Sequence, residues 1–350
     1  MLRKQQGSGK DQQTGGSLEA HAKTIVYDMK HMLVWLAAAS AFAAGGYHII
    51  KKIPVPGDGG FDYLTVDEGA RRLYVSHGTQ VEVLDVDSGA IVGKIPDTAG
   101  VHGIAVAPDE GVGFTSNGTT ATVTIFRLGT LEPVATVRTG KKPDAIIYDP
   151  ESHRGFVFNG GSESATVFTP QGVVKGILKL GGAPEFAAAD GQGHVFVNLE
   201  DKNETLRIDS NNLTIEQRWP LAPCSSPSSM AIDRQNRRLF IGCGNKMMAV
   251  LNAETGQVVA TLPIGAHVDA TAFDPATGLI FNANGEGTIT VIHEDYPDKY
   301  SPVETVQTQP GAKTLALDPK THKLFLSAAQ RSGSGGPIQA GSFTILVVGL

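Results

Sequence analysis

The sequence predicts an all-β fold, a seven-bladed β-propeller of four-stranded antiparallel blades in which an N-terminal strand joins the last blade. Three observations carry this expectation. A pattern of two short apolar runs around an acidic, Gly-containing turn, first met as GFDYLTVDEGARRLYVSHG over residues 60–78, returns six more times. Aromatic residues mark the second run of each copy, at Tyr74, Phe114, Phe156, Phe196, Phe240, Phe281 and Phe325, spaced 40, 42, 40, 44, 41 and 44 residues apart. The composition, 41% hydrophobic with 42 glycines in 350 residues, suits a large core interrupted by many turns and not long helices.

Each copy divides into four strands. In the first they are 63–66, 72–75, 81–85 and 91–95, apolar runs separated by turn residues. An aspartate stands seven residues before the aromatic at Asp67, Asp149, Asp233, Asp274 and Asp318. Ala107 replaces it in the second copy, and the shorter fourth copy places Asp190 six residues before Phe196. The seventh copy ends after its third strand, 343–348, while residues 47–55 read as a fourth strand without its own first three. Pairing those two segments is expected to complete the seventh sheet and leave no long free edge. The Gly/Ser-rich residues 331–341 then form an enlarged loop in the last blade, and residues 45–350 form one domain.

Ahead of the repeats, residues 29–44 combine a basic start, an apolar run and small residues at Ala41 and Ala43, the pattern of a secretory signal peptide. The run is short for a membrane span of roughly 20 residues, so no stable span is expected after cleavage. An uncleaved anchor is the alternative. Residues 1–28 are polar and Gln/Gly-rich, and are expected to be a disordered leader or an over-extended start. Export places the protein in the periplasm or outside the cell, where Cys224 and Cys243 read as a disulfide, with two free thiols as the alternative. A net charge of -6 supplies no basic footprint for nucleic acid. A monomer is expected.

The runs 71–95, 111–137 and 279–292 give the chain a resemblance to the YVTN-type β-propeller repeat proteins, covering roughly residues 47–348. YVSH, FTSN and FVFN stand where that family has its tetrapeptide. The resemblance implies the fold and leaves the function open.

In a propeller, the loop entering the first strand and the loop leaving the second share one face and crowd the central channel. Five residues before each anchor lie Asp62, His102, Asp144, Glu185, Ser228, Asp269 and Lys313. The four carboxylates, with His102 and with Lys313 as partial compensation, form a candidate site for a divalent cation, calcium among them, or for a cationic or polyhydroxylated ligand. The competing reading makes them acceptors of backbone N–H groups in turns. Three residues after the aromatics stand His77, Asn117, Asn159, Leu199, Cys243, Asn284 and Ala328, five of them followed by glycine. The Asn-Gly pairs read first as tight hairpin turns. His77 joins the candidate ligand-binding set, and His77, His102 and His267 are either a transition-metal trio or separate capping histidines.

No nucleophile elbow, zincin helix or P-loop is present. The residues 85–89, DVDSG, read as a turn and not a calcium loop. The favoured function is therefore a noncatalytic exported binding or scaffold module whose channel-mouth face takes a small ligand, a cation or a protein. The alternative is a metal-assisted hydrolase of lactonase or esterase type, with Glu185, Asp269, Asn159 and Asn284 as metal ligands and Asp144 or His102 as base.

Overall fold

A computed structural model describes residues 45–57, 59–333 and 336–350. The expected leader and signal segments lie outside the described residues. The chain forms seven four-stranded antiparallel sheets, and the described residues contain no helix beyond two three-residue 3-10 turns. This is a seven-bladed propeller.

Blade one runs outward from Leu64–Asp67 through Arg72–His77 and Gln80–Asp85 to Ile91–Ile95. Burial falls along that path. The second strand is buried at five of six residues, whereas the fourth keeps one buried residue of five. The aromatic of every second strand, Tyr74 to Phe325, is at most 1% exposed. Apolar clusters fill each of the seven boundaries between neighbouring blades, so burial between sheets supplies the main cohesive term.

Blade seven contains Leu315–Asp318, Lys323–Ala328 and Thr344–Gly349, and His48–Pro54 pairs antiparallel with the last of these. Residues 329–333 and 336–343 belong to the long excursion before its third strand, pinned by a bridge between Arg331 and Ile338. Blade six departs from the expected length. Its outer hairpin, Thr288–Tyr296 with Lys299–Gln307, runs nine residues on each side because two register irregularities let the pairing continue.

The repeated aspartates share one role. Asp67, Asp149, Asp190, Asp233, Asp274 and Asp318 each accept a backbone N–H two or three residues on, fixing the turn between the first and second strands. Four of these turns carry a basic residue in the left-handed conformation, Arg71, His153, Arg237 and His322. Three reach back to the preceding blade's anchor: Arg71 to Asp318, Arg237 to Asp190 and His322 to Asp274. In blade two Ala107 holds the anchor position, and His153 instead meets Glu110 at 3.0 Å.

One local reading is corrected and one is borne out. Asn117, Asn159 and Asn284 end their second strands in extended backbone and do not form two-residue Asn-Gly turns. The loop after Asn117 is four residues long, and the left-handed position falls on Ala121 at its end. The DVDSG segment is a turn, with Asp85 accepting from the Ser88 N–H and hydroxyl.

Candidate functional site at the channel mouth

The axial position falls on a repeated backbone irregularity. In blades two to six it is the second residue of the first strand, and the register with the second strand shifts there in all five. Such bulges re-aim a side chain. Here they apply to His102, Asp144, Glu185, Ser228 and Asp269, while Asp62 and Lys313 precede shorter first strands.

Side-chain hydroxyls hold the backbone of this ring. The Asp62 N–H donates to Ser76 Oγ at 2.7 Å, and Thr314 Oγ1 donates to the Asp62 carbonyl at 2.8 Å. Ser116 Oγ accepts the Gly103 N–H at 2.8 Å and donates to the Asp144 carbonyl. The ring carboxylates are left for other work. Among the described residues none of Asp62, Asp144, Glu185 and Asp269 accepts a backbone N–H through its side chain, which sets aside the turn-acceptor reading.

His102 Nδ1 lies 2.7 Å from Asp62 Oδ2 and 3.8 Å from Asp144 Oδ1. On the other side Lys313 Nζ meets Asp269 Oδ2 at 2.7 Å. Ser228 turns away and donates to the Val268 carbonyl. Behind the carboxylates, Tyr63 of blade one packs edge-on against Phe186 of blade four, ring centres 5.2 Å apart, so the two rings meet across the axis. Both stand four residues before their anchor aspartates, where the other copies have Gly103, Ala145, Ser229, Ala270 and Thr314. That pair of aromatics at an otherwise small position was the legible sign of the channel floor, and sequence reasoning passed over it.

The electrostatics follow from crowding. Burial, joined by the Asp62 charge, pushes Asp144 up to about 6. Burial also raises Asp269 to about 6 against the pull of Lys313. Glu185 forms no ion pair among the described residues, and burial with the charges of Asp144, Asp269 and Glu200 lifts it to about 8. The hydrogen bond with Asp62 raises His102. Glu200, an exposed residue at the exit of the second strand of blade four, is a further member that the repeat position did not single out. A cluster of this kind favours either protons or a bound cation.

The second expected ring is built differently. Asn117 Nδ2 donates to Thr122 and Thr124, Asn159 Nδ2 to Ser164 and Thr166, and Asn284 Nδ2 to Thr288 and Thr290, at 2.8 to 3.3 Å. Each amide thereby fastens its second strand to its third. His77 is buried, with its ring centre 4.6 Å from that of Phe343 and Nδ1 4.0 Å from Glu82. Among the described residues, His77, His102 and His267 do not share a metal-sized group, whereas Asp62, His102 and Asp144 do. Cys224 and Cys243 form a buried disulfide. A separate cleft of 350 Å³, lined by Gly57, Gly60, Arg331, Gln339 and Phe343, lies beside the long loop and includes none of the axial carboxylates.

No family model matches the chain, and no curated protein matches it in sequence. Solved structures do match in fold. U3-55K superposes over 87% of this chain and 100% of its own with a TM-score of 0.74 at 12% identity. The RRP9 WD40 repeats cover 86% of this chain and 96% of theirs, with a TM-score of 0.72 at 11% identity. Hydrazine synthase of Kuenenia stuttgartiensis covers 83% and 97%, with a TM-score of 0.70 at 14% identity. The structural likeness is to WD40 β-propellers, and identities this low carry the fold alone. It does not reach the YVTN-type repeat, which rests on the sequence runs.

Proposed function

We propose that this chain is an exported, noncatalytic binding propeller that takes a small cationic ligand at its channel mouth. One observation carries the reading. Four carboxylates from blades one, three, four and six converge on the axis, and one lysine, Lys313, is paired with one of them. Concave sites at channel mouths with a few convergent polar groups are the usual place for ligands. The Tyr63 and Phe186 rings give such a ligand an aromatic floor, on which an ammonium group would gain further from the ring face.

The lactonase-like alternative gains no support from the structural neighbours. Its proposed carboxylate ligands Glu185 and Asp269 fall in no metal-sized group of three among the described residues, while Asn159 and Asn284 fasten strands through Nδ2 and keep Oδ1 without a hydrogen bond there. Export follows from residues 29–44, and a protein partner on the same face remains compatible with a propeller scaffold.

Calorimetric titration of the purified chain near neutral pH, with spermidine and with chlorides of divalent metals, tests the reading. Saturable uptake of one of these, lost in Glu185→Gln or Asp269→Asn with folding intact, is the expected result. No uptake of any cation would remove it.

A further inference from the structure

We propose that Asp62, His102 and Asp144 form a three-ligand site for a divalent first-row transition ion such as Zn²⁺ or Mn²⁺, with the Tyr63 hydroxyl behind it; this deepens the cation reading above and rests on it. Three consecutive blades each deliver one ligand atom, Asp62 Oδ2, His102 Nδ1 and Asp144 Oδ1, and these atoms lie within 4.8 Å of one another. Ligands sharing an ion at bonds of about 2.0 to 2.2 Å sit roughly 3 to 3.5 Å apart. The observed 2.7 and 3.8 Å bracket that spacing, so side-chain adjustments well under the width of an atom suffice.

The imidazole is seated for this role. Its Nε2 edge lies over Gly118, where a Cβ would stand 2.8 Å from that nitrogen, so the close approach requires glycine. Nδ1 is thereby presented to the two carboxylates. Asp144 Oδ1 is sealed from solvent and accepts no hydrogen bond among the described residues. A buried carboxylate oxygen without a donor is costly unless a cation meets it.

Tyr63 supplies an independent observation. It is 7% exposed, its hydroxyl makes no hydrogen bond among the described residues and is not sealed from solvent, and it lies within the field of Asp269, Asp144, Asp62 and Glu185. A largely buried ring whose open hydroxyl faces these carboxylates points at a ligand or its bound water. The chemistry of the donor set selects the ion. Calcium takes six to eight oxygens, whereas one imidazole with two carboxylates suits Zn²⁺, Mn²⁺, Fe²⁺ or Co²⁺ and leaves coordination positions open.

The test is competition between the chelator-treated chain and a chromophoric chelator for Zn²⁺ and Mn²⁺, with metal content by mass spectrometry. One equivalent of Zn²⁺ is expected to bind. His102→Gln, Asp62→Asn and Asp144→Asn should each weaken binding about tenfold or more, and excess Ca²⁺ should not compete. His153→Gln, in the exposed Asp109, Glu110 and His153 group at the far ends of the first strands, should leave binding unchanged. Cobalt absorption bands that move in His102→Gln but not in His153→Gln provide a readout independent of affinity, and thermal unfolding confirms that each variant folds. Zn²⁺ binding that is absent, or lost with His153 and kept without His102, overturns the site. Spermidine binding that survives alongside absent metal binding would sink this inference and leave the proposed function standing, while loss of both would sink both.

Discussion

Arg71 of blade one holds Asp318 of blade seven through two hydrogen bonds of 2.7 Å, from Nη1 to Oδ1 and from Nη2 to Oδ2. Asp318 is fully buried, and Arg71 also reaches the exposed Asp87. Burial alone would raise the Asp318 carboxyl, but the hydrogen bonds from Arg71 and Thr321 outweigh it and hold the group below its ordinary range. Arg71→Ala should therefore cost about 3 kcal/mol, because it strands a buried charge. Arg71→Lys keeps a charge but loses the fork and should cost roughly half as much. Urea unfolding of the two variants checks the order.

The Cys224–Cys243 disulfide spans 19 residues between the loop entering blade five and the end of its second strand. Cross-linking a loop of that length restricts the unfolded chain by about 3 kcal/mol. The double variant Cys224→Ala/Cys243→Ala should show a lower denaturation midpoint by that order while keeping cation binding, as measured by urea unfolding and titration.

Asn159 and Asn284 act as fasteners in this structure, so their variants separate a structural role from a ligand role. Asn284→Ala removes donors to Thr288 and Thr290, and the stability loss should be about 1 to 3 kcal/mol. Zn²⁺ and spermidine affinities should stay at the wild-type value. A loss of metal with unchanged stability would restore the asparagines as ligands.

Glu294, 8% exposed in the long hairpin of blade six, is pushed up to about 7, first by burial and then by Asp233 facing it. The folded protein thus binds a proton that the unfolded chain releases near pH 4.5. That contribution is complete below the unfolded value and disappears as pH rises through about 7, so stability should fall between about pH 4.5 and 7. The size is on the order of 3 kcal/mol before screening, from a rise of about 2.5 pH units (7 less 4.5) at about 1.4 kcal/mol each. Glu294→Gln should flatten this part of the stability profile, as read from thermal unfolding across pH.

Much of the architecture was legible because a propeller writes the same physical demand seven times. Each blade needs one large side chain wedged at a sheet boundary, and the aromatics from Tyr74 to Phe325 report it at near-constant spacing. Six of the seven first turns take an acceptor for their own backbone from the anchor aspartates, blade two having Ala107 there. The axial residues were found by the same counting. So was their grouping with His102 and Lys313, but the Tyr63–Phe186 contact was not, because it exists only once blades one and four, distant in sequence, meet across the axis.

By itself, then, the chain determined which residues recur and at what period, since hydrophobic burial and turn chemistry act over a few neighbouring residues. The tertiary structure decided what those residues do to one another. Asn159 could be a hairpin corner or a ligand in sequence, and the position of Ser164 and Thr166 on the adjoining strand made it a fastener. Asp144 and Glu185 looked alike as carboxylates. An imidazole 3.8 Å from Asp144 and none so close to Glu185 set them apart, because the cost of a charge depends on what is packed around it.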